Sequence, residues 1–177
     1  MAQEQFDIIQ TQKFKKDTTI NKFHGIVSYR FDKYQILVGI ERNEKASEIR
    51  LLLLENDKVI AKTCNPTCTC TTYDIYFFKK DNQYILLGEQ GEDGIWGYDI
   101  YFLDNTLRFL GILKYTGIQK FGDTNGPRSS IIPCIKRIKK DALKIVIEFK
   151  DQEMYQILNN GRDKVIRGKE NTFSIDL

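Results

Sequence analysis

A six-residue phrase that occurs twice constrains this chain more than any other feature: Tyr73-Asp74-Ile75-Tyr76-Phe77-Phe78 and Tyr98-Asp99-Ile100-Tyr101-Phe102-Leu103. Each copy leads through a short polar turn into a second apolar run. The first turns at Lys80-Asp81-Asn82 into Gln83 to Gly88, and the second at Asp104-Asn105 into Leu107 to Leu113. Polar turns between aromatic and branched runs predict two consecutive β-hairpins. Successive strand side chains face opposite ways, so Tyr73, Ile75 and Phe77 share one face and Asp74, Tyr76 and Phe78 the other. Both faces are largely apolar. Such a strand belongs inside a sheet covered on both sides, or offers its second face to a partner. Asp74 and Asp99 then need partners, because a carboxylate on a covered face is costly unless bonded or paired. The expected partners are turn backbone or a neighbouring Lys or Arg; the functional alternative makes both acids contacts for a cation or a basic partner.

The flanking sequence speaks the same language. Phe23 to Phe31 and Tyr34 to Ile40 read as a strand pair about Asp32-Lys33, with Val27, Tyr29 and Phe31 on the apolar face. Glu48 to Glu55 and Lys58 to Lys62 form another hairpin around Asn56-Asp57. Toward the C-terminus Ile135 to Lys140, Leu143 to Phe149, Met154 to Leu158 and Lys164 to Arg167 read as strands, with Asn160-Gly161 a strong turn signal. Phe6 to Thr19 is indistinct, an edge strand or a helical turn. Thr116 to Pro133, with three glycines and two prolines, reads as the longest irregular stretch and a candidate working loop. The expectation is one all-β domain over residues 1–177: an antiparallel meander of about ten to twelve short strands, closed as a barrel, folded as a sandwich or arranged as a partial propeller, with few or no helices. The offset of 25 residues between the copies is too short for a propeller blade of roughly 40 to 50.

Chemistry is constrained mainly by what the residues fail to match. The 177 residues carry a net charge of +3, too slight to argue for nucleic acid, a membrane surface or an acidic substrate. The opening Met1 to Gln10 has no basic, then apolar, signal pattern, and no uncharged apolar run approaches the roughly 18 to 20 residues that span a bilayer, so a soluble cytoplasmic protein is expected. Cys64, Cys68 and Cys70 make a C-x₃-C-x-C cluster, with Cys134 far along the chain, a spacing foreign to zinc knuckles. Reduced thiols are expected, with Cys64–Cys68 and Cys70–Cys134 disulfides the alternative for an exported chain. Neither metal nor cofactor is implied. The acidic, glycine-rich Glu89 to Gly97 lacks the order of a calcium loop. Ser129 and Ser130 have no plausible base, since His24 is the one histidine and falls on an expected strand. The cluster Lys136, Arg137, Lys139 and Lys140 reads as a solvated set that protects a sheet edge.

What remains points to a protein that binds. The favoured reading is a non-enzymatic module that holds one protein partner, for example an immunity-type protein that neutralises a toxin. Its expected contacts are Glu89, Glu92, Asp93, Trp96, Tyr98, Asp99 and Tyr101, which have the aromatic character of interface anchors. A second reading is a small-ligand carrier whose closed meander encloses a pocket lined by Tyr and Phe. A third is a hydrolase using Glu89, Glu92, Asp93 or Asp99 as paired carboxylates.

Overall fold

The computed structural model describes residues 4–20, 23–42, 47–63, 72–91 and 94–177. In chain order the strands are β1 (Glu4–Ile9), β2 (Gln12–Ile20), β3 (Phe23–Phe31), β4 (Tyr34–Arg42), β5 (Ser47–Glu55), β6 (Lys58–Lys62), β7 (Thr72–Lys80), β8 (Gln83–Gly91) and β9 (Ile95–Leu103). They continue as β10 (Leu107–Leu113), β11 (Tyr115–Phe121), β12 (Thr124–Ser129), β13 (Ile135–Asp141), β14 (Lys144–Phe149), β15 (Glu153–Ile157), β16 (Asp163–Arg167) and β17 (Thr172–Asp176). Every pairing is antiparallel, and the described residues contain no α-helix, only two short 3-10 turns. The all-β meander is as expected, but the described residues hold seventeen strands in place of ten to twelve. Five strands account for the difference: β1 and β2 lie in the indistinct start, where an edge strand is one of the two expectations, β11 and β12 fill most of 116–133 in place of the expected loop, and β17 follows the last expected strand.

The turns form where the sequence places residues that tolerate positive φ. Asn56 and Asp57, at φ 51° and 63°, make the two-residue turn whose twist suits a hairpin. Asp32 and Asp81 adopt φ 47° and 52° at the corresponding turns after β3 and β7. Strands β2 to β6 then pair in sequence as a five-stranded sheet. The order β10-β9-β8-β7-β1-β13-β14-β17 makes an eight-stranded sheet, and β12-β11-β15-β16 a small four-stranded one.

The eight-stranded sheet curls until its edge strands, β10 and β17, meet, so it is a nearly closed barrel. At that seam a Cβ on Gly111 would stand 2.5 Å from Ile175 Cδ1, and glycine permits the approach. All eight strands feed one interior, which includes Phe6, Phe78, Ile85, Leu87, Tyr98, Ile100, Phe102, Ile138, Ile145 and Ile147. Met154 of β15, with Tyr115 and Ile166 beside it, ties the four-stranded sheet to this interior. The five-stranded sheet lies on the outside of β7, β8 and β9, where Tyr29, Phe31, Ile36 and Leu53 meet Tyr73, Phe77, Leu86 and Tyr101. The Phe31 ring packs tilted against Phe77, with centroids 4.7 Å apart, and edge-on to Tyr84, with centroids 5.1 Å apart. Strands β7 to β9 therefore have a core on each face, as their two-sided apolar sequence requires.

The two copies of the phrase are not used alike. Across β8, Asp74 aligns through Glu89 with Tyr98, and Ile75 aligns through Gly88 with Asp99. The second copy is thus displaced by one residue, which turns every one of its side chains to the opposite face. Tyr73, Ile75 and Phe77 face the five-stranded sheet, whereas their counterparts Tyr98, Ile100 and Phe102 face the barrel interior. Only a phrase apolar on both sides tolerates such an inversion. Fully burying side chains of this size stabilises by about 1.5–3 kcal/mol each, so the aromatic load is accounted for within the fold.

Candidate functional site

The segment singled out in the sequence lies where β8 meets β9, and its residues go to different places. The β8–β9 register shifts between Gln90 and Gly91, which pair with Gly97 and Ile95. Trp96 is the extra residue of this bulge and is 39% exposed. Glu92 and Asp93 lie outside the described residues, as do Cys64, Cys68 and Cys70; Cys134 is a buried free thiol whose ionisation burial pushes up.

Glu89 and Tyr98 sit together at one end of the barrel interior. The Tyr98 hydroxyl donates to the Glu89 carboxylate and accepts the Ile131 N–H at 2.8 Å, with Ser130 Oγ at 3.4 Å. Burial, and then the charge of Glu89, push Tyr98 ionisation far above the usual phenol range. Tyr76 is shifted the same way, first by burial. These phenols stay protonated at neutral pH and position groups; they do not accept protons as bases. His24 lies on β3, in the other layer.

Asp99 and Tyr101 point to the other core. The Tyr73 hydroxyl donates to Asp99 Oδ2 at 2.9 Å, and the Tyr101 hydroxyl stands 3.4 Å from that oxygen and 3.4 Å from the Tyr73 oxygen. All three residues are buried. Burial, then Tyr101 and Asp99, raise the Tyr73 ionisation well above its ordinary value. Gly88 makes the arrangement possible, since a Cβ there would lie 2.1 Å from the Tyr73 oxygen and 2.4 Å from Cζ. Tyr98, Asp99 and Tyr101 are therefore bonded inside the fold, while Trp96 and the half-buried Glu89 reach its surface.

Asp74 has a third setting. It pairs with Lys13 of β2 and accepts the Tyr29 hydroxyl at 3.0 Å. That hydroxyl in turn lies 3.3 Å from the Ile75 N–H, on a stretch of β7 that β1 does not reach. Lys13 and Tyr29 thus cover an exposed strand edge. The lysine partner for Asp74 matches expectation; tyrosine donors for Asp99 do not.

The basic cluster is at an edge only in part. β13 pairs with β14 on one side and, from Ile138 to Lys140, with β1 on the other, so the edge-protecting role is corrected for Lys139 and Lys140, while Lys136 and Arg137 lie beyond the end of the β1 ladder. Arg137 holds Glu148 through Nε at 2.7 Å and Nη2 at 3.1 Å, and Lys139 adds a contact at 2.7 Å. The hydrogen bond from Arg137, then that from Lys139, hold the Glu148 carboxyl down to about 2. Because the folded value lies below the ordinary 4.5, this contribution to stability is complete above that pH and is lost as pH falls toward 2. Glu148→Gln should accordingly show a shallower fall of Tm over that window than the parent, measured by thermal melts at stepped pH.

Where β1 parts from β13 a cavity of about 270 Å³ opens, lined by Phe6, Phe78, Ile135 and Ile138 and by Lys136 and Lys150. Only the lysine-rich run 136–140 hinted at it, since the partners come from four separate segments. Among the described residues no group of three or more His, Cys, Asp or Glu side chains is placed to hold a metal ion, and no helix is long and apolar enough to cross a membrane. In comparisons with protein-family models, curated proteins and solved structures, the chain matches none.

Proposed function

We propose that this protein is a non-catalytic module that binds one protein partner, and that an immunity-type inhibitor of a toxin in the cytoplasm is the specific form of that role. The observation that carries the reading is Trp96. It is the only tryptophan in the chain, it occupies a bulge on a hairpin with cores on both faces, and it is 39% exposed while the neighbouring aromatics are buried. A large amphipathic ring on a rigid support loses little conformational freedom on contact, which is why tryptophan dominates interface hot spots. Glu89, two residues before the bulge, adds an acidic group within reach of a basic partner.

The other two readings have less support. The barrel interior is occupied by Ile85, Leu87, Ile100, Phe102, Ile145 and Ile147, all buried, which leaves a lumen ligand little room. Glu89 is bonded to Tyr98 and Asp99 to two tyrosines, settings suited to holding structure and not to shuttling protons. The test is a pull-down from the native host at low and moderate salt with the parent and Trp96→Ala. The variant should keep the parental Tm within about 2 °C, as a surface change does, and lose the captured partner. A partner retained equally by both proteins would remove Trp96 as its anchor.

A further inference from the structure

The ladder between β1 and β13 ends at the Phe6–Ile138 pair, after which β1 turns away to pair with β7 through Asp7, Ile8 and Ile9. Ile135 to Arg137 are left with no β1 residue beside them, and the opening between the diverging strands is the cavity of about 270 Å³. Its floor is apolar and belongs to the barrel core: Phe6, Phe78, Ile135 and Ile138. Its rim is basic. Lys136 is the extra residue of a bulge against β14, where Ile135 pairs with Phe149 and Arg137 with Glu148, and bulges re-aim side chains in this way. Lys150 reaches the same rim, its ammonium anchored on the Pro133 carbonyl at 2.7 Å. Three cations and one acid, Asp7, line the cleft, and the Glu148 carboxylate that Arg137 grips is shared with Lys139, so the rim stays net positive over an apolar floor.

We propose that this cleft binds a small amphipathic monoanion, an aliphatic carboxylate whose chain lies on Phe6, Phe78 and Ile138 and whose head meets Lys136 and Lys150. A negative head complements the positive rim, and the volume lies below the roughly 300–1,000 Å³ of drug-sized sites, so a short chain fits and a long one does not. A cationic head would be repelled, and a neutral one would leave the ammonium groups without a gain on binding. The site is separate from the Trp96 hairpin, so it stands whether or not a protein partner binds there.

Octanoate is the probe, with octylammonium as the charge-reversed control, titrated by calorimetry and by amide shifts in NMR spectra of the whole chain. Octanoate should bind at a single site and shift the amides of residues 5–8 and 135–138, and octylammonium should not bind. Lys136→Ala combined with Lys150→Ala should weaken octanoate roughly tenfold, the joint effect of two partly exposed ion pairs. Ile8→Glu, at a position 58% exposed on the cleft wall, should abolish binding without touching the core. Trp96→Ala should leave octanoate affinity unchanged. The proposal is overturned by an absence of saturable octanoate binding, by equal binding of octylammonium, by a lysine double variant of parental affinity, or by amide shifts centred elsewhere.

Discussion

Gly88→Ala should destabilise the protein by about 3 kcal/mol, the upper part of the range for overpacking a well-filled core. The new Cβ would stand 2.1 Å, 2.4 Å and 2.7 Å from three atoms of the Tyr73 ring system, and a buried ring cannot fold aside as the tip of a flexible chain can. Moving the ring also draws its hydroxyl from Asp99. The check is urea denaturation of Gly88→Ala alone and in a Tyr73→Ala background. Tyr73→Ala is itself costly, but with the ring gone the added methyl should cost less than about 1 kcal/mol, so the two changes should be strongly non-additive. Simple additivity would mean that Tyr73 does not rest on Gly88.

The second large effect is at the hydroxyl. Tyr73→Phe keeps the ring and removes the 2.9 Å donor to Asp99, leaving the Tyr101 hydroxyl at 3.4 Å. A buried acceptor that loses such a bond costs about 2 kcal/mol, because water does not replace the donor. Tyr84→Phe is the comparison. Its hydroxyl meets Asp32, whose side chain is 42% exposed and also paired to Lys79, so its loss should cost less than about 1 kcal/mol. Chemical denaturation of both variants measures the contrast, and equal losses would show that the Asp99 cluster is no more protected from water than the rim.

Hairpins were readable wherever polar turn residues bracketed an alternating run, as at Asp32-Lys33, Asn56-Asp57 and Asp81-Asn82. β11 and β12 were not, because glycine and proline ordinarily mark loops. Pro127 is accommodated since β12 is the edge of its sheet and one side of it needs no ladder donor. Gly117 serves close packing, as a Cβ there would lie 2.5 Å from the Ser130 carbonyl oxygen. β2 and β17 are edge strands with many polar residues, so their alternation is weak. The segment from Glu89 to Tyr101 stands out in the sequence, but its side chains cannot be sorted by face from the sequence alone. Alternation assigns side chains to faces without saying which face is outside, and between two cores neither is, so Tyr98, Asp99 and Tyr101 read as surface anchors although each is internal. Trp96 escapes inward burial through a bulge, which binary patterning does not register. The β1–β13 cleft depends on where one ladder stops, and that is decided by pairing across more than a hundred residues of chain.

In most strands a slip of one position is punished at once, since it drags oily groups into water and charged ones into the interior. The twin phrase lacks that safeguard: its second copy already sits one step out of phase with its first, and solvent transfer alone scarcely separates the right alignment from its neighbour. Fidelity must come from shape, from a notch at Gly88 that admits a single ring and from tight corners that count residues. Sequence change at those few small positions therefore threatens the choice among alternative pairings, a hazard that tallies of buried area do not reveal.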